Sequence, residues 1–345
     1  MGERPDTDAA AVRAGVLEDE RPRLVNLAYR MLGSLAEAED AVQEAYARWI
    51  ALGSQERRGI TSPGAWLNTV VSRICLDLLG SARVRRERYV GQWLPEPVPD
   101  PGEWSTGRSS GGAVGSVIGG GTAPADPADR ITLDESVDMA FLVVLDAMTP
   151  AERVSFLLHD VFGYPFSEIG RIVGRTPAAC RQLASSARRR LRDARPVPPP
   201  IAERAEVVRR FKRAWQAADI DTLIGLLDPS AIAVADGGGR APALGRPVEG
   251  AEEIARFLVG LGDRVRTIEL LERLVNGRPG LVAWEQGRAV AVYAFEIRDS
   301  RIERMWAITN PEKLGSWPAG GRPADPPDRS ATGTRRRPRS RRRTR

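Results

Sequence analysis

The sequence predicts a multidomain protein, two all-α domains followed by an α+β domain, on three observations. At 345 residues the chain exceeds what a single hydrophobic core usually serves. Apolar residues recur with helical period in two blocks, about 19–90 and 133–194, separated by a stretch rich in Gly, Ser, Ala and Pro. Beyond the proline-rich 196–200 the texture changes to an amphipathic helix followed by short apolar runs and glycine turns, the grammar of strands.

In the first block, Leu24, Leu27, Ala28, Met31 and Leu32 form one apolar stripe and Ala41, Val42, Ala45 and Trp49 the next. Ser34 with Glu37 has capping-box spacing and marks a helix start. Ser62 before Pro63 repeats the signal, because proline is tolerated at the first helical position, and Trp66, Val70, Ile74 and Leu78 continue at intervals of four. These features predict a helical bundle over 1–92. The segment 93–132 opens with prolines and is mostly Gly, Ser, Ala and Pro from 107 to 127, a composition that buries too little apolar surface to offset ordering, so a flexible linker is expected.

Thr149-Pro150-Ala151-Glu152, Gly163-Tyr164-Pro165 and Gly174-Arg175-Thr176-Pro177 divide 133–196 into four helices. The last two have helix-turn-helix spacing: Ile169, Ile172 and Val173 make an inward face, Gly174 permits the turn, and Thr176-Pro177 starts the next helix. In the third domain, over 203–317, Val207, Val208, Phe211 and Trp215 mark an amphipathic helix, Asp236 to Gly239 a turn, Glu252 to Leu261 another helix, and Leu281 to Ala307 two or three strands.

Charge is local. The net +6 is smaller than the eight arginines of the last eleven residues, so the folded part is close to neutral and basicity alone identifies no nucleic-acid partner. The tail, in 318–345, reads as disordered. Cys75, Cys180 and the single His159 cannot supply a disulfide framework, a zinc cluster or a histidine triad, so no metal or cofactor is expected. No segment reads as a signal peptide or a membrane span, which predicts a cytoplasmic protein.

On a helical wheel from Pro177, Cys180, Leu183, Ala187 and Leu191 gather inward, leaving Ala178, Arg181, Ser185 and Arg189 opposite, flanked by Gln182 and Arg188. Arg and Gln read guanine and adenine edges, and small residues let a helix sit deep in a major groove. Eight arginines against one acid between Arg171 and Arg195 would add phosphate contacts.

Here 138–191, including Leu157-Leu158-His159-Asp160-Val161-Phe162-Gly163-Tyr164, resembles region 4 of the extracytoplasmic-function (ECF) sigma factors, the sigma-70-type subunits that direct RNA polymerase to promoters. The resemblance implies that this domain binds the minus-35 element through Arg175, Thr176, Ala178, Arg181, Gln182, Ser185, Arg188 and Arg189. Ala38-Glu39-Asp40-Ala41-Val42-Gln43-Glu44-Ala45 resembles the region 2 segment that docks on the β′ clamp helices of core RNA polymerase, which assigns Glu39, Asp40, Gln43 and Glu44 to that contact. Trp66, Arg73, Asp77, Arg83, Arg85 and Arg86 fall where that family melts promoter DNA, a task that needs cationic groups to hold the separated strand. Trp66, with apolar partners four residues on, reads first as core.

The third domain resembles the SnoaL-like family of cone-shaped α+β folds. Three motifs, Trp93-Leu94-Pro95-Glu96-Pro97, Asp236-Gly237-Gly238-Gly239-Arg240 and Asn310-Pro311-Glu312-Lys313-Leu314, resemble those of the sigma-factor subgroup with a fused SnoaL-like extension, and imply that the extension modulates activity in cis. Pro- and Gly-rich turns present backbone groups in fixed shapes that suit docking between domains. Arg240 and Glu312 depart from the expected Lys and Asp but keep the charge sign. Expected partners are therefore core polymerase, promoter DNA and an unidentified small ligand of the C-terminal domain, with no membrane and no catalytic residue. Two alternatives stay open: a ligand-responsive helix-turn-helix regulator independent of polymerase, and a cyclase or isomerase fused to DNA-binding helices, for which Asp236 and Glu285 are the acid/base candidates.

Overall fold

A computed structural model describes residues 20–86, 89, 91–99, 138–194, 199–240, 245–262 and 267–317. The Gly-rich part of the linker, the arginine tail and the side chains of Arg83, Arg85 and Arg86 lie outside the described residues.

Helix α1 (20–32) carries the first apolar stripe, and α2 (Leu35–Ala51) starts at Ser34, whose Oγ accepts the Glu37 N–H at 3.4 Å. A second acceptor reaches the same helix end from the linker: Glu96 Oε2 accepts the Leu35 N–H at 2.8 Å. The short α3 (Ser54–Gly59) leads to α4 (Pro63–Arg86), entered at its proline as predicted. After the linker come α5 (Met139–Asp146), α6 (Pro150–Phe156) with a π-helical turn over Leu157–Val161, α7 (Phe166–Val173) and α8 (Pro177–Ala194). Thr149 and Glu152 form the reciprocal capping box of α6, as their spacing requires.

The C-terminal domain is α+β. Helices α9 (Ile201–Gln216) and α10 (Ile220–Leu226) precede β1 (Leu227–Asp236) and β2 (Val248–Glu249); α11 (Ala251–Gly260) leads into β3 (Glu269–Val275), β4 (Arg278–Glu285), β5 (Arg288–Arg298) and β6 (Arg301–Ile308). The sheet order is β2-β1-β6-β5-β4-β3, with β1 and β6 parallel and the other neighbours antiparallel.

Side-chain alternation explains why 290–295 reads as a continuous apolar run. Ala291, Tyr293 and Phe295 point into the domain's own core with Phe211 and Trp215, whereas Val292 and Ala294 join a second core with Leu94 of the linker and Met139 and Ala140 of α5. A strand buried on both faces has no polar side to alternate with.

The helical domains are not separate bodies. Leu24 to Leu79 and Phe141 to Leu191 contribute to one contiguous buried cluster. The described start of the linker, 93–99, also departs from expectation. Its prolines suggest a loose tether, yet Leu94, Glu96 and Val98 are buried, because the segment finds apolar and polar partners that composition does not reveal.

Candidate nucleic-acid interface and interdomain clamp

Gly174, at φ +70, closes α7 in the left-handed conformation and lets α8 begin at Pro177. Cys180, Ala184, Ala187 and Leu191 pack inward, while Arg175, Thr176, Ala178, Arg181, Gln182, Ser185 and Arg189 stand exposed on one side. Arg188 is half-buried and held by Asp160 at 2.6 Å. The Arg181 guanidinium lies 5.3 Å from the Phe166 ring centroid.

On α2, Ala41, Val42 and Ala45 face the bundle, leaving Asp40, Gln43 and Glu44 exposed and Glu39 half-buried. Glu44 pairs with Arg48, one turn on, at the exposed surface. On α4, Trp66 is half-buried against Trp49, ring centroids 5.3 Å apart, which supports its reading as core. Arg73 and Asp77 are exposed.

Two arginines fasten the helical domains together in opposite directions. Arg153 of α6, nearly buried, donates to the Met31 carbonyl in the last turn of α1 at 2.7 Å while pairing with Asp146 at 2.9 Å. Arg73 of α4 donates to the Arg171 carbonyl in the last turn of α7 at 3.0 Å. Each cation thus serves a helix C-terminus, where carbonyls lack intrahelical donors and the dipole favours positive charge.

All three docking motifs converge on Asp236. Its fully buried carboxylate accepts Lys313 Nζ at 2.7 Å, the Leu94 N–H at 2.9 Å, the Tyr89 hydroxyl at 2.6 Å and the Gly238 N–H at 3.0 Å. Its backbone carbonyl accepts the N–H groups of Thr309 and Asn310. Lys313 also donates to the Leu94 carbonyl and sits 4.2 Å from the Trp93 ring centroid. The buried ammonium thereby gains a counter-charge, a carbonyl and an aromatic face, the partners that make burying a cation tolerable. Gly238, at φ +61, leaves no room for a Cβ, which would meet Asn310 Nδ2 at 2.5 Å. Asn310 donates to the Tyr89 hydroxyl at 2.9 Å and, through Oδ1, caps the 3-10 turn Pro311–Lys313. Leu314 closes the apolar layer beside Leu94, and Pro95 is buried behind it. The two departures in the motifs face each other: Arg240 and Glu312 pair at 2.9 Å.

A second junction joins the first helical domain, the start of the linker and the C-terminal domain. Asn276 accepts the Val98 N–H at 3.1 Å and donates to the buried Tyr29 hydroxyl at 2.9 Å, and Tyr29 in turn donates to the Glu96 carbonyl at 2.7 Å. Burial drives the Tyr29 phenol well above its ordinary range. Burial also raises the Glu96 carboxyl above the usual carboxylate range, opposed by the Leu35 N–H. Trp317 Nε1 donates to the Pro97 carbonyl at 3.0 Å.

The acid/base candidates do not form a pair. Asp236 is saturated in the clamp; Glu285 is exposed at the end of β4, three strand spacings or about 14 Å across the sheet from β1. No group of three metal-ligating side chains occurs among the described residues, and no helix there is long and apolar enough to cross a membrane.

Sequence reasoning does not single out Tyr29, Tyr89, Arg153 or Asn276. Asn276-Gly277 does carry a hairpin signal, with φ +52 and +71 at the β3–β4 turn, but that signal says nothing of where the Asn side chain reaches.

Comparison with known proteins identifies the family of both helical domains. Residues 16–85 match the Sigma-70 region 2 family and residues 138–191 the Sigma-70 region 4 family. The chain is 38% identical over 323 residues to the ECF RNA polymerase sigma factor SigJ of Mycobacterium tuberculosis, covering 90% of this chain and 95% of that protein. It is 35% identical over 312 residues to a probable ECF RNA polymerase sigma factor SigI of the same species, with coverage of 90% and 95%. The crystal structure of M. tuberculosis SigJ superposes with a TM-score of 0.65 at 34% identity, over 89% of this chain and 100% of that one.

Proposed function

The chain belongs to the ECF RNA polymerase sigma factors, which bind core polymerase and direct initiation at promoters, and from this premise we propose that its C-terminal domain governs initiation in cis by clamping the linker. In this reading the exposed face of α8, with Arg175, Thr176, Ala178, Arg181, Gln182, Ser185, Arg188 and Arg189, binds the upstream promoter element. Trp66, Arg73, Asp77, Arg83, Arg85 and Arg86 belong to the melting helix. Glu39, Asp40, Gln43 and Glu44 meet the β′ clamp helices. All but Arg188 of the upstream-element group stand exposed, as does most of the α2 acidic face.

The observation that carries the regulatory reading is the convergence of Leu94, Gly238 and Lys313 on the single buried carboxylate of Asp236. Through it the C-terminal domain holds the start of the linker, and with it the two helical domains, in one packed body. The melting and upstream-element helices serve separate stretches of promoter, so a body in which they share a core, and in which Arg73 is taken up by Arg171, has to open before both can work.

The C-terminal domain acts here as a docking body and not as an enzyme. Four donors occupy the Asp236 carboxylate, and the inner core between α9 and β5 packs Phe211 and Trp215 against Phe295 and Tyr293, so a small ligand there would have to displace them. Reconstituted transcription with core polymerase tests the proposal. A chain ending before Glu203 should change transcript yield without changing which promoters are used; altered promoter choice would contradict it.

A further inference from the structure

The π-helical turn Leu157–Val161 lies beside the reading helix and has no part in the clamp. The turn ends the helix that α6 begins, with Phe162 as its C-cap. Two neighbouring side chains of this turn contact the recognition machinery. His159 stacks on Phe166, ring centroids 4.0 Å apart and planes inclined by 29°, and its Nδ1–H donates to the Tyr164 carbonyl at 2.9 Å, which fixes the imidazole in place. The same Phe166 ring receives the Arg181 guanidinium at 5.3 Å. Asp160, the next residue, holds Arg188.

We infer that His159 and Phe166 are positioning residues for promoter recognition: the π-turn fixes His159, His159 fixes the Phe166 ring, and the ring restricts Arg181 to the rotamers that face the groove. The inference rests on the reading of Arg181 as a base contact. Arg181 is exposed and carries a long, rotamer-rich side chain, so its ordering on DNA is costly unless something confines it beforehand. The aromatic ring supplies that confinement without consuming the guanidinium's donors, which remain free for a base edge. Phe166 is itself half-buried at the first turn of α7, a place where a purely structural residue would need only an apolar side chain.

The test uses holoenzyme assembled from the full chain and core polymerase, presented with a pool of duplexes randomised across the promoter length and sequenced before and after selection. Arg181→Ala should flatten base preference at one upstream position. Phe166→Leu and His159→Ala should weaken preference at that same position about 2- to 5-fold, the range of a solvent-exposed cation–π contact. Phe166→Tyr, which keeps the ring, should retain it, and His159→Phe, which keeps the stack but loses the bond to the Tyr164 carbonyl, should retain more of it than His159→Ala. In the Arg181→Ala background neither Phe166→Leu nor His159→Ala should change the preference further. Melting curves of each variant separate these effects from loss of folding, and His159→Phe with Phe166→Tyr keeps the comparison available should His159→Ala unfold. If Arg181→Ala flattens the preference while Phe166→Leu and His159→Ala leave it sharp, the positioning role is wrong and the base contact stands. Uniform weakening at all positions, persisting in the Arg181→Ala background, would mark the rings as structural only. No change with Arg181→Ala would overturn the base contact and the positioning role together.

Discussion

The ammonium of Lys313 lies 2.7 Å from the carboxylate of Asp236, 77 residues earlier in the chain, and both groups are buried beneath Tyr89 and the linker residues Trp93 and Leu94. Removing one partner of a buried pair leaves the other uncompensated, which costs about 3–5 kcal/mol. Asp236→Asn is therefore expected to lower unfolding stability by that order in urea titrations, with Asp236→Asn/Lys313→Met recovering part of the loss. A change below about 1 kcal/mol would mean that the pair does not hold the linker.

The arginine contacts between the helical domains differ in burial and should differ in weight. Arg153→Ala deletes a nearly buried, charge-assisted hydrogen bond to Met31 and should cost about 1.5–3 kcal/mol. Because the two domains share one core, amide exchange should rise in both α1 and α6. Arg73→Ala removes an exposed contact to the Arg171 carbonyl and should cost less than about 1.5 kcal/mol while leaving exchange in α1 unchanged.

Gly238→Ala meets two obstacles, a φ of +61 and a Cβ only 2.5 Å from Asn310 Nδ2. A loss of about 1–3 kcal/mol is expected, read as a lower melting temperature. Gly245→Ala, where a Cβ meets nothing within 4 Å, should be close to neutral. Equal effects at the two positions would argue against the tight approach of the second and third motifs.

Glu96 gives a pH signature. Its carboxyl titrates higher in the folded protein than in the unfolded chain, chiefly through burial, so the folded state binds its proton more readily. Its favourable contribution is complete below the unfolded carboxylate range and is lost as pH rises through the folded value. Glu96→Gln keeps an oxygen for the Leu35 N–H without the buried charge. It should stabilise the protein at neutral pH and lose that advantage on acidification, measured as melting temperature against pH. A variant equally destabilised at pH 4 and pH 7 would contradict this sign.

Much of the fold is legible in the sequence because local rules and the tertiary structure agree. The capping signals at Ser34, Thr149 and Pro63 place helix starts by chemistry confined to one turn. The outward face of α8 comes from helical period alone. The three motifs of the clamp are recognisable, and even their two departures, Arg240 and Glu312, are partners. What cannot be read is long-range: that the prolines of 93–99 lie against a sheet, that Tyr29 meets Asn276 from 247 residues away, and that Arg153 reaches Met31. Strands β1 and β3 are also not resolved individually, since their apolar residues do not alternate cleanly with polar ones. Asp236 stands out in the sequence, but as a catalytic candidate as well as a docking residue; only its four donors decide between those uses.

Transcript yield from holoenzyme carrying Asp236→Asn, compared with the unaltered chain over the same set of promoters, tests the central claim most directly. If the clamp holds the helical domains closed, loosening it frees Arg73 and the linker, and yield should rise at every promoter in proportion while their ranking stays fixed. Unchanged yield from a variant whose clamp is demonstrably weakened, or a reordering of the promoters, would contradict the account.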